Sequence, residues 1–342
     1  MRDAGYSLPM IKLSVLDQSV AVSGRTEGAS IRETLALARH CEGLGYHRFW
    51  VSEHHSHPSI VGSAPEVLMA AIAATTRSIR VGSAGVMLPH YATLKVAEQF
   101  RVLEALAPGR IDLGVGRAPG SDMRTARLLS SDPRQSAENF PIQVRELQAW
   151  LAGVDLPEGH PGHGVTANPT GPTTPTLWML GSSDYGAQLA AHYGLPYAFA
   201  YFITDGQGAE QALDFYRRLY RPSPQHPTPQ AVLCVWALAG ETEKDAWFHF
   251  SGRERWKIDR NRGALGPLPS PEEVAERPYT IGEQAEVDKL RRNALVGRGP
   301  QVADKLRALA AEHQVDELVV ITWAHDPAAR RRSYELLARE FT

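Results

Sequence analysis

The sequence predicts an α/β fold, a (β/α)8 TIM barrel with insertions, and three observations carry that prediction. Short apolar or β-branched runs occur eight times, at 13–16, 48–52, 79–88, 110–115, 177–180, 197–201, 231–238 and 317–322. Segments of helical periodicity separate most of them. Continuous apolar strands alternating with helices indicate a parallel sheet covered on both faces, which right-handed crossovers repeated eight times close into a barrel. The third observation is an absence: no Gly-x-Gly-x-x-Gly opens a helix after the first run, which disfavours an open dinucleotide-binding sheet.

Taken in order, the first strand ends at Asp17 and Ser19 and is followed by a helical stripe of Ile31, Leu35, Ala38 and Glu42. The second strand runs into Glu53-His54-His55-Ser56-His57. Small residues Ser83, Ala84 and Gly85 interrupt the third, where a planar ring could lie against backbone; Val96, Phe100 and Leu103 follow as a helix stripe. The fourth carries Gly114 and Gly116, where a flat ligand could approach closely, and then Arg117. Gly181, Ser182 and Ser183 end the fifth, ahead of a helix over 185–193.

Gaps at 118–133 and 153–175 exceed ordinary loops, and the longest runs over about 247–296, after the seventh strand. Arg253, Glu254, Arg255, Lys257, Asp259, Arg260 and Arg262 charge that excursion, and a Pro-rich stretch follows at 266–271. It reads either as a lid over the barrel mouth or as a solvated insertion. The eighth strand ends at Trp323, and two helices close the chain, one with Val302, Leu306, Leu309 and His313, the other with Tyr334, Leu337, Ala338 and Phe341. Residues 1–342 read as one domain.

Active sites of such barrels lie at the carboxyl ends of the strands, so the residues just after each run carry the chemistry. Histidine titrates near neutral pH and suits proton handling. Strand alternation lets only one of His54 and His55 face the pocket. Arg117 matches a phosphate through paired hydrogen bonds, or else joins a structural ion pair. Ser182 and Ser183 near a helix start can hold an anion, or Ser183 or Asp184 simply caps that helix. Arg117 and the serines on adjacent strands together imply a phosphorylated ligand. His55-x-His57 also has the spacing of two metal ligands on one strand face, but His163, His192 and His226 supply no matching set, so no metal is expected.

Composition narrows the partners. Charged residues make up 22% and apolar ones 43%, as in a globular chain with a sizeable core. A net charge of −2 leaves no cationic excess for nucleic acid or anionic membranes. Two cysteines, Cys41 and Cys234, give no disulfide framework; residues 1–10 hold no apolar signal core, and no run approaches about 20 apolar residues, so a cytoplasmic protein is expected.

Several pieces now carry a resemblance: Glu53-His54-His55, the strand 81–89, Gly109-Arg-Ile-Asp-Leu-Gly-Val-Gly-Arg117, Leu180-Gly-Ser-Ser183 and Val296-Gly-Arg-Gly-Pro300. The chain resembles the bacterial luciferase-like, flavin-dependent monooxygenases. That resemblance implies a dimeric (β/α)8 barrel using reduced FMN (FMNH2) and O2 on a small-molecule substrate, with a separate NAD(P)H:flavin reductase as partner. It implies that His54 is catalytic, that Gly116, Arg117, Gly181, Ser182 and Ser183 form the flavin phosphate side, and that Ala84-Gly85 is a non-proline cis peptide beside the ring. Light-emitting relatives carry cysteine where Gly116 stands, which argues against bioluminescence. A deazaflavin-dependent hydride-transfer enzyme and a non-catalytic FMN-binding protein are the alternatives, and the substrate is not legible.

Overall fold

The computed structural model of the chain describes residues 11–341; residues 1–10, read above for a signal core, lie outside the described residues. The described residues form β1 (Lys12–Asp17), β2 (Arg48–Val51), β3 (Arg80–Met87), β4 (Ile111–Gly116), β5 (Thr176–Gly181), β6 (Tyr197–Phe199), β7 (Ala231–Gly240), β8 (Leu295–Arg298) and β9 (Glu317–Ile321). Parallel pairing runs from β1 through β6, then to β7, β9 and back to β1, so eight strands close a barrel. β8 stands outside the ring, paired with the last four residues of β7. The eight expected runs are the eight ring strands.

Alternation along β2 shows how the sequence fills both sides of the wall. Phe49 and Val51 join the core between strands and helices, while Trp50 belongs to the cluster inside the barrel, where its ring meets Trp178 edge to face at 5.2 Å. Arg48, two residues before Trp50, shares its inward face at the amino-terminal end of the barrel. There its Nη1 donates to Asp112 and its Nε to Glu317, both at 2.8 Å. Trp50 Nε1 and Arg80 also donate to Asp112. Burial alone would raise the Asp112 carboxyl, but Arg48 and Arg80 outweigh it and hold it below the ordinary carboxylate range.

Three expectations are corrected. The first helix, Glu27–Gly43, buries Ser30, Thr34, Leu37, Ala38 and Cys41; of the expected stripe Ala38 is buried, Ile31 and Leu35 only pack partly buried against the core, and Glu42 does not join it. Two buried polar residues lie on that face unseen, Ser30 and Thr34, and the Thr34 hydroxyl is satisfied by Ser19 at 2.7 Å and the Ser30 carbonyl at 3.2 Å. Glu42 instead accepts backbone amides of Arg77, Ser78 and Ile79. Gly114 faces no ligand: a Cβ there would strike the Ser83 carbonyl and then Leu180, so its smallness serves the β3–β4 contact.

The third correction concerns the excursion. Trp247 lies inside a helix, Glu243–Asn261, that begins right after β7, capped by Thr242 through the Asp245 amide. Two shorter helices follow, Pro271–Ala275 and Ile281–Arg292, each opened by a capping box. The segment then ends in a strand not expected from the sequence, β8, directly before the helix Gly299–His313. Arg298 is exposed at the end of that strand.

Candidate active site

A cavity of about 450 Å³ lies at the carboxyl ends of the strands. Eight of the residues expected there line it: His54 from the end of β2, Ala84 and Gly85 from β3, Gly116 and Arg117 from β4, and Gly181, Ser182 and Ser183 from β5; Ser83, like Gly114, does not, because its buried hydroxyl is spent on the Gly114 carbonyl at 2.9 Å. The barrel has gathered these residues from four adjacent strands.

The Glu53-His54-His55 segment is fixed by its backbone and by Glu53. The His54 amide donates to the Gly62 carbonyl at 2.9 Å and the His55 amide to that of Gly120 at 3.1 Å. Glu53 is buried and accepts from His55 Nε2 and the Tyr91 hydroxyl, each at 2.7 Å, and from the Met87 amide at 3.1 Å. His55 is thereby held on Glu53 while His54 lines the cavity, a division set by these contacts because β2 ends at Val51. His54 Nδ1 stands 3.3 Å from Ser52 Oγ, leaving Nε2 for a ligand. Burial, reinforced by His57 and His55, depresses its pKa to about 4, so the ring is neutral at pH 7. His57 Nδ1 accepts the amides of Ser59 and Ile60. His55 and His57 thus each spend one ring nitrogen on a different protein partner.

The Ala84–Gly85 peptide is cis, and the pairing of β3 with β4 shifts register there. A Cβ on Gly85 would strike Leu180 and the Gly114 carbonyl, whereas one on Gly116 would meet only Met87 Sδ, at 3.7 Å. Gly116 therefore leaves room on the cavity side. Arg117 has no acidic partner among the described residues; its guanidinium lies over the Tyr185 ring, 4.1 Å from the centroid. Ser183 occupies the N-cap position of the helix Asp184–Tyr193 yet makes no side-chain cap bond, and Asp184 accepts from Gln211 instead. Amide donors of that first turn lack a side-chain cap, beside an arginine free of ion pairs, and both suit an anion.

Sequence reasoning pointed to the other wall only through Trp323 and a candidate lid, and missed how it is built. Trp236 of β7, Trp323 after β9 and Trp256 of the helix Glu243–Asn261 form one cluster, with centroids 4.6 Å apart for Trp236–Trp323 and 4.7 Å for Trp256–Trp323. Arg253, Lys257 and Arg260 line the same cavity from that helix. Their spacing with Trp256, at i, i+3, i+4 and i+7, is one helical face, a signal hidden because the run read as undivided charge. The neighbouring face is neutralised outward: Glu254 takes a two-point bond from Arg291 at 2.7 and 2.8 Å, and Arg277 forks onto Asp259. Asp17 and Ser19 prove structural, Asp17 through Arg330 at 2.8 Å, while Gln18 between them lines the cavity.

A family model for luciferase-like monooxygenases matches residues 11–317. The chain belongs to the luciferase-like monooxygenase family. A protein described as a luciferase-like monooxygenase from Escherichia coli K12 is 38% identical over 95% of this chain and 96% of its own. The N-acetyl-S-alkylcysteine monooxygenase of Bacillus subtilis is 36% identical over 96% and 98%. Among solved structures, apo-MsnO8 superposes with a TM-score of 0.87 at 37% identity, covering 97% of this chain and 98% of that one. More distant structures, sharing the fold alone, include an FMN-bound type II Baeyer-Villiger monooxygenase component and an F420-dependent secondary alcohol dehydrogenase, at 18% and 14% identity and TM-scores of 0.70 and 0.69.

Proposed function

We propose that this luciferase-like monooxygenase uses reduced FMN and O2 to oxygenate a small organic substrate. The observation that carries the reading is one cavity that combines a neutral, buried imidazole at His54 with an unpaired Arg117 beside an uncapped helix start at Ser183. Bound there, reduced FMN would supply the electrons that activate dioxygen.

The chain's own residues fit that group. Arg117 and the Ser182–Ser183 turn would hold its phosphate, and the backbone at Ala84, Gly85 and Gly116 would face its ring. His54 Nε2 would hold or pass a proton at the reacting centre, while the tryptophans exclude water. The excursion would serve as a lid: Leu268 bonds the backbone of Ala21 and Ser23, and Trp256 Nε1 donates to Ser59 at 2.7 Å, tying it across the mouth. The protein would work as a cytoplasmic homodimer supplied by a separate NAD(P)H:flavin reductase.

The test is oxygen uptake with FMNH2 in the presence of candidate substrates. Uptake above the free-flavin rate, coupled to product, is expected. Hydride transfer from a reduced deazaflavin with no oxygen uptake would favour the deazaflavin reading instead, and binding of FMN without turnover would favour a flavin carrier.

A further inference from the structure

Five arginines are buried among the described residues: Arg48, Arg101, Arg253, Arg255 and Arg330. Four hold ion pairs or hydrogen bonds within the protein, although the Arg255 Nε has no partner among the described residues. Arg48 meets Asp112 and Glu317, Arg330 meets Asp17, Arg255 meets Glu283 and the Arg277 carbonyl, and Arg101 donates to the carbonyls of Pro169, Leu151 and Thr173. Arg253 is 4% exposed and has neither an ion pair nor a hydrogen bond among the described residues. Its guanidinium lies 3.3 Å from the Trp236 ring centroid, at the wall of the cavity.

A buried charge without a partner is costly to the fold, and the side chain would sooner be apolar there unless a ligand completes it. Burial lowers its pKa to about 9, only partly offset by Asp205 and Glu254, so it stays charged at neutral pH. Lys257 already faces Asp205 at 3.8 Å, which leaves Arg253 as the buried charge to be neutralised, with exposed Arg260 nearer the surface. β7 stands two positions round the ring from β5, so this wall is distinct from the Arg117–Ser183 side.

We infer that Arg253 is a substrate-binding residue that takes a carboxylate, and that the substrate is an organic carboxylate whose apolar body lies on Trp236, Trp256 and Trp323. The planar guanidinium fork matches the two carboxylate oxygens, and one monoanion balances one uncompensated cation. The substrate half of this inference rests on the flavin reading above; the anion site does not.

The experiment is a tryptophan-fluorescence titration of the full chain, with and without saturating FMN, using phenylacetate and its neutral isostere phenylacetamide. Phenylacetate is expected to bind at least about tenfold tighter, charge-assisted pairs being the stronger kind. Arg253→Met should abolish that preference, leave the FMN dissociation constant within about twofold and raise the melting temperature; Arg253→Lys should keep part of the preference. Equal binding of the two probes by the native chain would overturn the inference. So would loss of FMN affinity in Arg253→Met, or a lowered melting temperature, which would mean that the fold already compensates the charge. Absence of FMN binding by the native chain would defeat the flavin reading alone, since the carboxylate preference is read separately.

Discussion

Arg48 and Arg253 are both buried arginines stacked on tryptophan, one at each end of the same barrel, and they are opposite in every other respect. Arg48 has Asp112 and Glu317 at 2.8 Å and Trp178 beneath it at 4.8 Å. Burial would lower its pKa, but those two carboxylates more than reverse the effect. Arg253 stacks on Trp236 and Phe250 with no carboxylate among the described residues bonded to it, and burial outweighs the more distant charges of Asp205 and Glu254. The amino-terminal end is a closed electrostatic structure that holds the strands together. The carboxyl-terminal end leaves its polar groups open for something that is not the protein.

The largest effect that could break this contrast is at the closed end. Asp112→Ala removes the only carboxylate among the described residues bonded to Arg80 and one of the two bonded to Arg48, and urea denaturation should show a loss of about 3–5 kcal/mol. Turnover per folded molecule should be unchanged. At the open end His54→Gln should do the reverse, lowering turnover by about 100-fold with FMN affinity within twofold and stability little altered. Equal losses of turnover and flavin binding would make His54 a structural residue.

Acid sharpens the contrast further. His54 titrates near 4 when folded and near 6.5 when unfolded, so between those values the unfolded chain holds the extra proton and stability rises with pH. On acidification from pH 6.5 to 4 the stability should therefore fall, by up to about 1.4 kcal/mol per pH unit from this residue. His57, whose pKa is also lowered by burial and then by Arg260, adds in the same direction. His54→Gln should flatten the slope; an unaltered slope would place the titration elsewhere.

Legibility followed the same division. The ring strands and the residues just after β2, β3, β4 and β5 could be read because apolar runs end there in unusual polar groups. What stayed hidden depended on partners distant in sequence. The buried face of the first helix includes Ser30 and Thr34, which no apolar stripe marks and of which Thr34 meets distant Ser19, and Gly114 looked like a ligand contact until Ser83 and Leu180 filled its space. The charges at 253–262 could not be sorted into paired and open ones without Arg277 and Arg291 in place. β8 escaped notice because four residues pairing outside a closed ring leave no periodic signal of their own.

The central claim, that the open end is built for a flat ring carrying a phosphate, is tested most directly by the ratio of FMN to riboflavin affinity, measured for the native chain and for Arg117→Gln. The account predicts that the native chain prefers FMN by at least about tenfold and that Arg117→Gln loses most of that preference while riboflavin binding stays the same. A native ratio near one, or a preference untouched by the substitution, would contradict it.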